Sequence, residues 1–350
     1  MSTNTLTRLV YVDILKIVAT FSIIALHVSA LYVHMDAALV HPSGALLYIV
    51  NALVRTALPL FMMISGALLL RDGYSFKFKQ KFFFILKMLI VWSAFYTVCD
   101  QVFRLANGQP LLSPLELLAG WVRGPYHFWY LQMLLGFYLL MPLLARIKGL
   151  QTLNYATLLF FVILYVYNPL AGYLPACVQA VAGQLILFSP SAMLFFFLLG
   201  ACLHRVPLRP KVAALAGLCV LVGLGLRFYL LFSTENYQAS TMVQPFNSYS
   251  ELLLAVGIFY LVRYFSRHAE GGPRMQYLSK CTLRIYVSSA FVIYLYQFFI
   301  QPHWDAHVPW PTLSVLVWSV VVFFCSWLIA HLLTKKDRAL GAARAKRMSR

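Results

Sequence analysis

The chain has 350 residues, 61% of them hydrophobic and 11% charged, with a formal net charge of +18 and a mean hydropathy of +0.77. A soluble domain of this length has no use for so much apolar side chain, so the composition excludes a water-soluble enzyme and predicts an all-α integral membrane protein. The basic residues sit in short runs between apolar segments, as a positive-inside bias would place them, which removes the need for a nucleic-acid partner.

About ten spans of roughly 20 residues are predicted, at 9–33, 44–70, 82–104, 127–147, 150–167, 191–206, 211–232, 249–266, 281–300 and 312–333. Lys and Arg follow the even-numbered spans: Arg71, Lys77, Lys79 and Lys81, then Arg146 and Lys148, Arg205, Arg209 and Lys211, Arg263, Arg267, Arg274 and Lys280, and finally Lys335 to Arg350. The alternate loops, 34–43, 105–126, 168–190, 233–248 and 301–311, are nearly free of them, Arg123 being the main exception. Both termini are therefore expected in the cytoplasm. The organisation is a membrane domain over 1–334 and a basic tail over 335–350, with an inner-membrane location. No internal repeat is visible. The six Cys show no CxxC pair and no Cys/His metal spacing, so no metal is expected. A Cys99–Cys177 disulfide requires both to approach the outer face.

The first span, Leu9 to Val33, is too long and too charged inside for a signal peptide. Advancing 100° per residue places Asp13, Lys16, Thr20 and His27 on one stripe, which His34 continues. Ionisable groups at membrane depth are costly and normally face a protein interior or a watery path. A structural pair plus a satisfied His is the plain alternative. Asp13 lies about 21 Å from His27 along the helix, too far to orient it, and is expected to pair with Lys16.

The second span carries Asn51, Arg55 and Pro59 ahead of Phe61-Met62-Met63-Ile64-Ser65-Gly66. Arg55 falls about 16 Å in from the outer end. It keeps its charge there, so it must meet a carboxylate, carbonyls or an anionic ligand. Pro59 frees a carbonyl and bends the helix, and Ser65-Gly66 permits close helix contact. The fourth span opens on His127, Phe128, Trp129 and Tyr130. An interfacial aromatic belt accounts for Trp129 and Tyr130, less readily for His127. Arg227 and Glu251 fall near one face and are candidates to pair. The ninth span opens on the polar run from Ser279 to Ser289.

These residues carry a resemblance over essentially the whole chain. Asp13-x-x-Lys16 followed by His27 resembles the first-span pattern of the acyltransferase-3 family of integral membrane acyltransferases. Arg55-x-x-x-Pro59-Leu60-Phe61-x-x-x-Ser65-Gly66 resembles its second-span motif, and is the most specific piece. His127-x-Trp129 and Leu283-x-Ile285-Tyr286 resemble two later motifs. In this chain Arg284 stands where the last motif has Gly, and Ser289 where it ends in His. Within the family, the resemblance points to stand-alone O-acetyltransferases of the enterobacterial common antigen type.

The resemblance implies transfer of an acyl group, usually acetyl, from acetyl-CoA or another acyl-CoA to a hydroxyl of a cell-surface polysaccharide or its lipid-linked precursor, with no bound cofactor. His27 is then the candidate to take the hydroxyl proton or to carry the acyl group, and Arg55 to stabilise the oxyanion. Lys16, Lys79 and Lys81 are placed to attract the donor's phosphates. Asp13, Asn51, His127, Trp129 and Tyr286 complete the expected binding set. The rival readings are a transporter or flippase for a lipid-linked sugar and a non-catalytic membrane subunit of glycan assembly.

Overall fold

The computed structural model describes residues 8–33, 44–74, 77–147, 149–167, 192–233 and 248–348. All regular structure among them is helical. Thirteen α-helices occur in chain order: α1 Val10–Val33, α2 Gly44–Val54, α3 Ala57–Leu69, α4 Phe78–Ala106, α5 Pro114–Arg123, α6 Trp129–Leu144, α7 Leu150–Phe161, α8 Ala192–Arg205, α9 Pro210–Ser233, α10 Tyr249–Phe265, α11 Pro273–Leu295, α12 Gln301–His307 and α13 Pro311–Met348. A π-helical turn, Val162–Tyr167, prolongs α7, and another, Tyr296–Ile300, joins α11 to α12.

Among the described residues seven helical stretches are long and apolar enough to cross a bilayer: Val10–Tyr32, Leu46–Leu69, Phe78–Ala106, Pro114–Ile147, Pro210–Tyr229, Pro273–His307 and Pro311–Lys336. Helices also occupy the other three expected spans. Leu150–Val166 and Ala192–Arg205 are apolar but short, and α10 has 17 residues with Glu251 and Arg263 inside it. Of the ten expected spans, seven reach bilayer length among the described residues. The expected second span is not one helix but two, interrupted at Arg55–Thr56. The stretch 105–126, read as a loop, contains α5, whose start is fixed by a capping box between Ser113 and Glu116. Helix α13 runs on through the residues of the expected basic tail to Met348. Loops 34–43 and 168–190, most of 233–248, and Cys177 and His34 lie outside the described residues.

The chain forms two compact units, Gly73–Ile147 and the remainder. In the larger unit, α1 contributes Ile24, Val28 and Tyr32 to a core completed by Leu47 and Tyr48 of α2, Cys281, Ile285 and Ile293 of α11, and Val315, Val322 and Ala330 of α13. Helices α3 and α8 approach backbone to backbone. A Cβ on Gly66 would stand 1.7 Å from the Phe197 carbonyl oxygen, and one on Gly200 would stand 2.1 Å from that of Met63. Small residues are what let apolar helices gain dispersion contact where lipid offers no hydrophobic drive. The smaller unit holds α4, α5 and α6. Its α4 leaves Phe83, Val91, Val98 and Val102 exposed, as does α13 with Leu316, Val320 and Phe324. In water these rows would be an aggregation surface; on a membrane protein they are the lipid face.

The Gly66–Gly200 contact gives the first prediction. Gly66→Ala and Gly200→Ala each force backbone apart at a packed crossing, so each is expected to cost about 1–3 kcal/mol. Melting of detergent-purified protein should move down clearly for both. A melting temperature within error of the parent would show that α3 and α8 are not in this contact.

Candidate functional site

The interruption of the second span follows from Pro59. Proline has no N–H to give the Arg55 carbonyl four residues back, and that carbonyl accepts instead from Leu58 N at 3.3 Å, a tighter turn. One turn earlier, the Ala52 carbonyl receives a hydrogen bond from Arg227 Nη1, reaching across from α9. Arg227 Nη1 also lies 3.5 Å from Thr56 Oγ1. Its Nη2 forms a short ion pair with Glu251 of α10. Arg227 is 0% exposed and Glu251 3%. Both side chains are therefore buried, and the expected pairing of Arg227 with Glu251 is present.

Arg55 sits at the same interruption, half-buried. It lies within the electrostatic reach of Arg227 and Glu251. Its Nε donates to Asn51 Oδ1 at 3.1 Å, Asn51 Nδ2 to Ser29 Oγ at 2.7 Å, and Ser29 Oγ to the Leu26 carbonyl at 2.9 Å. Glu251 is spent on Arg227. Among the described residues Arg55 makes no ion pair. Its side-chain hydrogen bond among them is to a neutral amide.

On α1, Asp13 and Thr20 are buried and Lys16 and His27 half-buried, on one stripe as expected. Thr20 Oγ1 is turned back to the Lys16 carbonyl at 2.7 Å. The Arg55–Asn51 relay reaches α1 at Ser29, about 160° round the helix from His27. These hydrogen bonds therefore do not join His27 to Arg55. Asp13 takes a forked ion pair from Arg8, at 2.6 and 2.8 Å, and a hydrogen bond from Ser279 Oγ at 2.6 Å. The partner it uses was not Lys16, the one expected, but a residue that drew no notice in the sequence. The result is a clamp between the starts of α1 and α11.

The other expected residues divide between the two units. Lys79 and Lys81 are exposed on α4, in the smaller unit. In the same unit His127 is 1% exposed, its ring edge-to-face with those of Tyr96 and Phe128, while Trp129 is 39% exposed, as a belt residue should be. In the larger unit Tyr286 is buried on α11. Ser289, at the position of the motif's His, bonds the Tyr286 carbonyl of its own helix at 2.8 Å. Arg284 reaches Thr334 of α13.

Three assemblies escaped the sequence reading. Tyr32 bonds both Tyr296 and Asp305, the latter at 2.9 Å. Tyr11 bonds His204 at 2.8 Å. Tyr165, within the π-helical turn, lies in the field of Glu251. Each joins residues far apart in sequence, and only the π turn's position beside a polar cluster is a general sign of function.

The family model described as an acyltransferase domain, acyltransferase-3, matches residues 9–331. The chain belongs to the acyltransferase-3 family. No curated relative and no solved structure matches it significantly. As an acyltransferase-3 protein it is a multi-pass membrane acyltransferase, and the matched residues include Asp13, His27, Asn51, Arg55, Arg227 and Glu251. The family supplies the reaction class; the fold adds a guanidinium with no carboxylate partner among the described residues, at a broken helix beside a buried ion pair.

Removing one partner of such a pair strands the other charge. Glu251→Gln is expected to lose about 3–5 kcal/mol, measured by chemical or thermal unfolding in detergent. Stability equal to the parent would mean that Arg227 does not depend on Glu251.

Proposed function

We propose that the protein transfers acetyl from acetyl-CoA to a hydroxyl of a cell-surface polysaccharide or its lipid-linked saccharide precursor, from the inner membrane. The observation that carries this reading is Arg55. A half-buried guanidinium with no ion pair among the described residues, held by Asn51 at an interrupted helix, suits an anion that forms only during reaction. In acyl transfer that anion is the oxygen of the tetrahedral intermediate. His27, half-buried and neutral at modest cost, is the general base that takes the acceptor hydroxyl proton. The hydroxyl oxygen then attacks the thioester carbonyl, and coenzyme A leaves as its thiol. Specialisation toward an acceptor of the enterobacterial common antigen type rests on the motif resemblance. In the same reading all ten helical segments cross, and both termini are cytoplasmic.

A broken helix with polar groups at mid-depth also characterises carriers, so a flippase for a lipid-linked sugar is the second reading, favoured by the interruption at Arg55–Thr56. Carriage would depend on an ion gradient or potential and would not consume acetyl-CoA.

Purified protein given radiolabelled acetyl-CoA, with mass spectrometry of surface glycans from a deletion strain, tests the proposal. Acetyl-CoA consumption and loss of acetylated glycan are expected; neither, with transport intact, favours the carrier. His27→Ala is expected to insert and melt normally yet abolish transfer, whereas His127→Ala should lose activity only in step with folded protein. Wild-type turnover by His27→Ala would remove it from the chemistry. Reporter fusions after Lys81 and after Lys148 should both read cytoplasmic, and an external signal at either reverses the orientation.

A further inference from the structure

The last turn of α1 meets a carboxylate that the mechanism above does not use. Asp305 lies on α12, and between Arg284 and Lys335 it is the sole formally charged side chain. Its Oδ1 accepts a hydrogen bond from Tyr32 OH at 2.9 Å. A carboxylate only accepts, so Tyr32 gives its single proton there, and Tyr296 is the donor in the short Tyr32–Tyr296 bond. The chain from Tyr296 through Tyr32 to Asp305 therefore has a direction, and it holds the carboxylate in place.

Tying α1 to α12 is a plain structural use, and it takes one oxygen. Oδ2 has no hydrogen bond, and Asp305 has no ion pair, among the described residues, although the chain carries a net charge of +18. An amide would serve the tie as well, at no cost in desolvated charge. What the carboxylate adds is a second acceptor. Beside it stand rings that are themselves held. Trp304, half-buried, donates from Nε1 to Ser314 Oγ at 2.9 Å. Its ring is edge-to-face with Trp318, which stacks on Tyr296 with centroids 4.1 Å apart. A sugar ring has the two matching surfaces, hydroxyls that donate to a carboxylate and a C–H face that covers an indole. Tyr32 stands one turn past Ser29, about 60° round α1. Tyr48, in the same core as Tyr32 and Tyr296, stands three residues before Asn51 on α2. Both helices of the Arg55–Asn51–Ser29 relay thus run on to this cluster.

We infer that Asp305 and Trp304, ordered by Tyr32 and Tyr296, form a subsite for a neutral sugar of the acceptor glycan; its role as an acceptor subsite rests on the acyl-transfer reading above. Asp305 Oδ2 accepts from the sugar's hydroxyls and the Trp304 ring covers its C–H face. Helix rise alone separates Tyr32 from His27 by about 8 Å, more than the span of one sugar ring. The subsite therefore grips a sugar next to the reacting one and sets specificity, while the hydroxyl that receives the acyl group lies on its neighbour.

The full-length protein in phosphatidylcholine nanodiscs is titrated with cellobiose, lactose and chitobiose, binding being read by saturation-transfer NMR and melting temperature measured alongside. Titrations are repeated with D305N, with Y32F and, as a control, with D100N, whose carboxylate is paired with Arg104 in the smaller unit. Asn keeps an oxygen for Tyr32 but puts an NH2 group where Oδ2 was. The parent should bind at least one of the three sugars, and D305N should bind it about tenfold or more weakly at a parental melting temperature, with D100N like the parent. Y32F removes the tie to α12 and keeps the carboxylate, so it should lose less affinity than D305N. Equal losses in D305N and Y32F, both melting early, make Asp305 a structural tie and overturn the subsite. Parental affinity in D305N, or no binding of any of the three sugars to the parent, also overturns it, and acetyl-CoA turnover by that parent leaves the acyltransferase reading standing. Sugar binding lost in D305N, in a protein that turns over no acetyl-CoA, upholds the sugar site and removes the reading.

Discussion

An arginine cannot shed its charge, and Arg227 is wholly buried in a segment that has no access to water. Everything around it is arranged to meet that charge. Glu251 supplies the counter-ion from α10, and the interruption of the second span supplies the Ala52 carbonyl. Pro59 makes that interruption possible, since a continuous ladder would have kept the second span's carbonyls for its own N–H groups. One ion pair thus locks α9 and α10 to the point where α2 gives way to α3. Engaging Glu251 has a consequence: among the described residues Arg55 is left with Asn51 as its partner and its charge uncompensated by any ion pair. Structural demand and chemical opportunity are linked at one helix break.

The rest of the larger unit holds that break in place by packing. The α3–α8 contact brings backbone against backbone through Gly66 and Gly200, which fixes α3, the second half of the broken span. The first half, α2, is fixed by the core that α1, α2, α11 and α13 share and by the Asn51–Ser29 bond. Asp13, held by Arg8 and Ser279, clamps α1 to α11 at the other end of the helix that carries His27. The site residues are therefore seated on helices whose relative positions are set by apolar contact and a few polar ties, in keeping with the need for rigid support under a catalytic group.

Much of this could be read from the residues. The stripe on α1 follows from helix periodicity. The break follows from Pro59 in kind, though its extent does not, because the Ala52 carbonyl one turn earlier leaves the ladder only where another helix offers it a donor. Arg227 does, from 175 residues away. The same distance hid Tyr11–His204 and Tyr32–Tyr296, separated by 193 and 264 residues. Ten spans were expected; seven stretches among the described residues are long and apolar enough to cross, and runs such as Leu150–Val166 are helical but short. Asp13 was misjudged because local spacing favoured Lys16, while Arg8, just outside the helix, folds back to it with better fork geometry.

The central claim is that Arg55 meets charge formed in the reaction rather than charge already in the fold. It is tested most directly by the rate of acetyl transfer from acetyl-CoA by Arg55→Lys, measured per mole of folded protein with its melting temperature alongside. Lys keeps the charge but not the fork, so the account predicts a parental melting temperature and a rate lower by about a hundredfold or more. Parental kinetics in a stably folded Arg55→Lys protein would contradict it.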